Sequence, residues 1–262
     1  MKLKFSKKQA YLNDLILKEN DPYISVLGSV QSGKTFSISL GTIRYADKLT
    51  EMYPNEKFNG AIIGWTVDTL KRNIYDVIVN DLQEIGYTEE NYKAVWTQNE
   101  KYIEIGNIRF YMFPFNNALS FNRILGAPLL FIWADEAARI YTSQQLQKPF
   151  DELIGRQVSY AGHPMMKNIH SFNVEGGNNH PYKVKYIDDA YQYLLNIGKD
   201  VYGYEYSTSS SPVTEITESY SWFIYNKYGE VEKYSGFNSF YGLGSKLPRE
   251  KRKQKIERLK AH

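Results

Sequence analysis

Apolar positions along this 262-residue chain follow two rhythms that alternate. Short apolar or β-rich runs sit at Tyr23-Ile-Ser-Val-Leu27, at residues 60–65 (Gly-Ala-Ile-Ile-Gly-Trp), at residues 129–134 (Leu-Leu-Phe-Ile-Trp-Ala) and at Lys167-Asn-Ile-His-Ser-Phe172. Runs of this length between polar or turn residues predict buried strands. Between them the spacing changes to that of a helix. Phe36, Leu40, Ile43 and Ala46 form one stripe, which stops at Tyr53-Pro54. Val67, Leu70, Ile74, Val77 and Leu82 form a second, ending near Gly86. Leu146, Phe150, Leu153 and Ile154 form a third, and a fourth runs from Tyr182 to Leu195. Residues 1–22 predict a short amphipathic helix leading into the first strand. Residues 101–113 alternate around Gly106-Asn107, which predicts a hairpin and so an antiparallel element within or beside the sheet. Strand and helix in alternation predict an α/β fold: a mostly parallel sheet sandwiched by helices.

Beyond Val201 the pattern breaks. The chain becomes Tyr-rich, with Ser/Thr punctuation at 207–211 and a predicted hairpin over 222–234 around Asn226-Lys-Tyr-Gly229. The tyrosines there have two readings: stacking on bases, or filling a small β-rich subdomain or protein interface. A basic tail of helix-forming composition follows Pro248. Residues 248–262 hold seven Lys and Arg against two Glu, so the rest of a chain of net charge +3 is slightly acidic. Contact with nucleic acid would therefore be local. Apolar content of 42% suffices for a sizeable core. No apolar run approaches the length of a membrane span, and the charged N-terminus has no signal-peptide core. The chain has no cysteine, which excludes disulfides, thiolate metal sites and thiol nucleophiles.

The chemistry concentrates after two of the strands. Gly28-Ser-Val-Gln-Ser-Gly-Lys34-Thr35 fits the phosphate-binding loop G-x-x-x-x-G-K-[ST] at every required position, between a strand and a helix. Gly28 and Gly33 let the backbone wrap closely, so that N–H groups through Ser29, Val30, Gln31 and Ser32 face phosphate oxygens. Lys34 reaches the β- and γ-phosphates, and the Thr35 hydroxyl is a ligand for Mg2+. The apolar run at 129–134 ends in Asp135-Glu136, the form of a Walker B element. Asp135 would hold the metal and Glu136 would activate water. Each motif raises the weight of the other. Ser171 and Asn173 have two readings: contact with phosphate or water, or capping of a strand end. Gln9 beside Phe5 likewise reads as an adenine contact or as a surface residue beside an apolar anchor. Lys71 and Arg72 lie off their helix's apolar stripe, on a solvated face or within reach of a nucleotide. His163, His170 and His180 match no metal-ligand spacing.

Taken together, these stretches resemble the ATPase domain of a tailed-bacteriophage terminase large subunit. The matching elements are Phe5-Ser-Lys-Lys-Gln9, residues 28–35, Thr69-Leu-Lys-Arg-Asn-Ile74 and Asn122-Arg-Ile-Leu-Gly126. Residues 129–136 followed by Ala137-Ala138, then residues 171–173 and His180-Pro181-Tyr182, complete the set. The resemblance covers roughly residues 1–190. It implies a P-loop NTPase of the ASCE type, hydrolysing ATP with Mg2+ to drive double-stranded DNA into a procapsid. It also implies a portal protein and a small terminase subunit as partners, a homo-oligomeric ring, and the host cytoplasm as the place of action. Gln9 would read adenine, and Asn173 would couple hydrolysis to movement. Two departures stand out. The middle of the phosphate loop, residues 29–32, carries no charge, where many terminases have an arginine. The arginine finger must then come from elsewhere: Arg123 first, then Arg72 and Arg139, in the same chain or a neighbour. Nor do residues 190–262 show the clustered carboxylates of the nuclease that usually follows.

The expected organisation is a motor domain over residues 1–195 and a small β-rich and helical appendage with a basic tail over 196–262. Two other functions remain open: a helicase-like P-loop translocase, and an assembly protein that uses nucleotide as a switch.

Overall fold

A computed structural model describes residues 7–20, 22–27, 33–116, 127–173, 180–183, 185–186, 222–225 and 231–234. The N-terminal helix α1 (Lys7–Leu17) leads into β1 (Tyr23–Leu27). Helix α2 (Lys34–Met52) follows, then β2 (Phe58–Gly64). The next helical stretch has three parts: α3 (Val67–Leu70), a π turn (Lys71–Tyr75) and α4 (Asp76–Glu84). Three strands come next, β3 (Tyr92–Trp96), β4 (Lys101–Ile105) and β5 (Ile108–Pro114). Strand β6 (Phe131–Asp135) precedes α5 (Ala137–Thr142) and α6 (Gln144–Gly155). Strand β7 (Lys167–Phe172) leads to a helical turn, Pro181–Lys183. Strands β8 (Trp222–Tyr225) and β9 (Val231–Tyr234) complete the described residues.

One sheet contains nine strands in the order β3-β4-β5-β2-β6-β7-β1-β8-β9. The five from β5 to β1 run parallel. Antiparallel strands extend both ends, as the alternation over 101–113 predicts for one of them. In β6 the alternation assigns side chains to two helical layers. Phe131 and Trp133 join the core with Leu12, Ile16, Ile38, Ile43, Leu70, Ile74 and Leu82. Ile132 and Ala134 join Ala137, Ile140, Leu146, Phe150 and Leu153 on the other face. A strand covered on both sides has no polar face, which is why residues 131–134 read as an unbroken apolar run.

Strand β7 lies between β1 and β6. Its Ser171 is in register with Val26 of β1 on one side and Asp135 of β6 on the other. The ends of the phosphate-loop strand and of the Asp-Glu strand therefore flank a third strand end. This order realises the expected α/β class, a mostly parallel sheet between helices, with a glutamate directly after the strand that carries the acidic motif.

Two expectations about elements need correction. The stripe predicted for residues 67–86 places Val67 and Val77 in the core, yet Val67 is exposed and Val77 only half-buried. Leu70, Ile74 and Leu82 are buried as expected, and because the π turn adds a residue to one turn, Ile78 faces inward in place of Val77. The apolar pattern does not predict strand β3. At the sheet edge Lys93 is exposed and the other four residues are half-buried, so Tyr92–Trp96 lacks an apolar run. Of the hairpin expected over 222–234, strands β8 and β9 pair antiparallel, and β8 also pairs with β1. The expected boundary near 195, the remainder of the helix over 182–195 and the basic tail lie outside the described residues. Among the described residues no helix is long and apolar enough to cross a membrane.

Candidate active site

A cavity of about 420 Å³ opens at the C-terminal ends of the parallel strands. Gly33, Lys34 and Thr35 from the start of α2 line it, with Asp135 and Glu136 from the end of β6. Phe172 and Asn173 from the end of β7 line it as well, as do Arg72, Asn73 and Val77 from the helical stretch after β2. Open α/β sheets place ligands at this edge.

Each group is held by its element. Gly33 takes φ 84°, a left-handed conformation, as the residue from which α2 starts. Glycine adopts that conformation without a Cβ penalty, which explains its place one residue before the lysine. Lys34 is buried, and its ammonium donates to Asn173 Oδ1 at 2.9 Å. Burial pushes the Lys34 ammonium down to about 8, against the opposing pull of Asp135 and then Glu136. Asp135 accepts from Ser171 Oγ at 2.6 Å, and Ser171 Oγ accepts from the indole N–H of Trp133 at 3.0 Å. These three side chains form a hydrogen-bonded relay on one face of β6 and β7. Burial raises the Asp135 carboxyl above its usual range, and the Ser171 bond and Lys34 charge offset part of that rise. Glu136 has φ 54° and ψ 36° at the start of α5. A left-handed conformation in a residue with a Cβ is strained, and such strain gathers at functional sites. Arg139 lies 3.6 Å from Glu136 Oε2, with its guanidinium 5.3 Å from the Trp65 ring centre.

The structure thus brings Gly33, Lys34, Thr35, Arg72, Asp135, Glu136 and Asn173 around one cavity. Gln9 is buried on α1, with its Nε2 3.4 Å from where a Gly33 Cβ would sit. It sits beside Gly33 and is not among the residues that line the cavity. Gly28, Ser29, Val30, Gln31, Ser32 and Arg123 lie outside the described residues. The three histidines have separate settings. His163 packs with Tyr53, Phe58 and Tyr160. His170 is buried beside Phe150 and shares a 2.8 Å hydrogen bond between its Nδ1 and the Tyr182 hydroxyl. Burial pushes it down to about 3, so it is neutral. His180 pairs with Thr142. Phe36, Asn73, Val77 and Phe172 also line the cavity, and sequence reasoning gives them no role in a site. Their only signal is nearness to the motifs.

The wall can bind a polyphosphate through Lys34 and the start of a 19-residue helix. Thr35 and Asp135 are hard oxygen donors of the kind Mg2+ takes. Glu136 provides a carboxylate base beside them.

No protein-family model matches the sequence, and neither does any curated protein. Solved structures do match. The large terminase of a thermophilic bacteriophage matches with a TM-score of 0.54 at 20% identity, over 71% of this chain and 43% of that one. The same phage's large terminase in complex with ADP matches with a TM-score of 0.52 at 25% identity, over 71% of this chain and 42% of the other. The HK97 bacteriophage large terminase matches with a TM-score of 0.53 at 11% identity, over 99% of this chain and 48% of that chain. The chain spans less than half the length of the terminases it matches. In fold, it is similar to the phage large terminases.

Proposed function

We propose that this chain hydrolyses ATP to drive double-stranded DNA into a viral procapsid, as the motor part of a terminase large subunit. One observation carries the reading: the Lys34-Thr35 and Asp135-Glu136 pairs, a hundred residues apart in sequence, line the same cavity across β7. The similarity in fold to large terminases, one of them an ADP complex, supports it.

In this reading the triphosphate displaces Asn173 from Lys34, and Lys34 turns to the β- and γ-phosphates. Glu136 accepts a proton from a water as the water oxygen attacks the γ-phosphorus. The bond from that phosphorus to the β-bridging oxygen breaks, and ADP and phosphate leave. Thr35 and Asp135 would hold Mg2+, which neutralises developing phosphate charge. Ser171 and Trp133 fix the orientation of Asp135. Asn173, released from Lys34, is placed to sense the terminal phosphate and couple its loss to movement. Double-stranded DNA is the load, gripped through its phosphate backbone, since packaging is independent of sequence. The portal of the procapsid, a small terminase subunit and further copies of this chain in a ring are the proposed partners, and the host cytoplasm the proposed setting.

The test is ATP turnover by the purified chain with and without Glu136→Gln. The wild type should release phosphate, and the variant should lose about 10²- to 10⁴-fold in rate while still binding nucleotide. Equal rates with DNA and procapsids present would sink the motor. The same outcome would favour a nucleotide switch, which needs no placed base.

A further inference from the structure

We propose that Arg72 is the arginine that completes the positive charge around the terminal phosphate, and that it acts within its own chain. The inference rests on the ATPase reading above. Transfer of a phosphoryl group concentrates negative charge, and an arginine beside the γ-phosphate raises such rates by about 10³- to 10⁵-fold. The phosphate loop contributes only Lys34, because residues 29–32 are uncharged. Beside the Mg2+ that Thr35 and Asp135 would hold, a second cationic side chain would complete the charge around the terminal phosphate.

Arg72 fits that role on three grounds. It lines the cavity with Lys34, Asp135 and Glu136. It is exposed, and among the described residues it makes no hydrogen bond or ion pair, so its charge is available to a ligand. Arg139 differs on both counts. It is not on the cavity wall, and it sits between Glu136 and the Trp65 ring. The third ground is the backbone. Arg72 and Val77 both face the cavity, five residues apart. In a regular α-helix such residues point roughly 140° apart. The i→i+5 bonding of the π turn over Lys71–Tyr75 stacks them on one side.

That turn is secured on every side. The side chain of Thr66 and that of Thr69 form a reciprocal cap at the start of α3. Lys71 pairs with Asp76 at 2.9 Å along the outside. Leu70, Ile74 and Ile78 anchor the inner face in the core. A π turn interrupts the regular ladder, and such turns recur at functional sites. Here its effect is to put Arg72 and Val77 together on the cavity wall while the apolar stripe stays buried. The forked donor geometry of arginine suits two phosphate oxygens at once.

The test uses the full chain, with steady-state ATP turnover and separate binding of ADP and of a non-hydrolysable ATP analogue. Arg72→Ala should lower turnover by about 10³-fold or more. It should leave ADP affinity nearly unchanged and abolish any preference for the triphosphate analogue over ADP. Mixing Arg72→Ala with Lys34→Ala chains should restore nothing, because both residues would serve the same site. Turnover of Arg72→Ala within about tenfold of wild type would overturn the proposal. So would rescue on mixing, which places the arginine in a neighbouring chain. A comparable loss in Arg123→Ala, with Arg72 intact, would also overturn it. If wild type and Glu136→Gln differ while Arg72→Ala matches wild type, the ATPase reading stands and only this assignment falls. If the wild type neither binds nor hydrolyses nucleotide, both fall.

Discussion

At the scale of the residue, Lys34 is the cavity cation that its surroundings move well below its ordinary value. Its ammonium is buried and held at about 8, with burial the largest cause. Polyphosphate favours the charged form, so binding must raise that value again. The sign follows directly. Below about pH 8 the lysine is already protonated, and affinity for ADP should be flat. Above it, binding must take up a proton, and affinity should fall by up to about tenfold per pH unit. Titration calorimetry across that range, in buffers of different ionisation enthalpy, measures both the affinity and the proton uptake. Lys34→Met should bind weakly at all pH values and show no uptake. Uptake that persists in that variant would assign the proton to another group. Ser171 and Asn173 show how far such residues can be read from sequence. Both stand out as polar ends on an apolar run, with two readings each. Their actual partners, Asp135 and Lys34, depend on which strands flank β7. That is a property of topology and not of the local pattern.

At the scale of the element, the Asp-Glu motif is plain because β6 shows as an apolar run with no side that meets water. In β1 only Ile24 and Val26 are buried, with Tyr23 exposed and Ser25 half-buried, and it is the phosphate-loop pattern after it that marks the strand. Strand β3 escapes notice because an edge strand with a half-buried face has no such run. The π turn leaves no trace either. Its i→i+5 bonds depend on what the helix packs against, and the residues 67–82 fit an ordinary stripe nearly as well. A second effect hidden in the sequence is the close approach of neighbours at Gly60 of β2. A Cβ there would meet Phe110 Cδ1 at 2.8 Å and Phe131 Cβ at 3.3 Å, on strands to either side. Gly60→Ala should therefore destabilise the fold by about 1–3 kcal/mol, the usual cost of overpacking a core. Urea denaturation would show it as a lower midpoint with an unchanged slope. An unchanged midpoint would mean that Phe110 yields without cost.

At the scale of the whole molecule, the sequence and the fold divide the labour differently. The order of strands and helices is legible, and so is the pairing of phosphate loop with Asp-Glu motif. The place of the C-terminal hairpin is not, since nothing local says that β8 lies beside β1. Charge is a property of the whole chain that the sequence alone carries. Seven Lys and Arg fall within residues 248–262, while the remainder is slightly acidic. If the chain grips duplex DNA through phosphates, removal of residues 248–262 should weaken binding to random-sequence duplex. It should also flatten the dependence of log affinity on log salt, since fewer counterions are released. Fluorescence anisotropy at several salt concentrations would check this, and an unchanged slope would place the grip elsewhere. The position of β7 has a mechanical meaning. It is bonded to a parallel neighbour along both edges, and every one of its residues is buried. Sliding it by one residue would turn each side chain to the opposite layer. The strand therefore behaves as a chassis rather than a piston. If the proposed loss of phosphate drives a stroke, it must be delivered by parts hung from the strand's rim, beginning at Asn173.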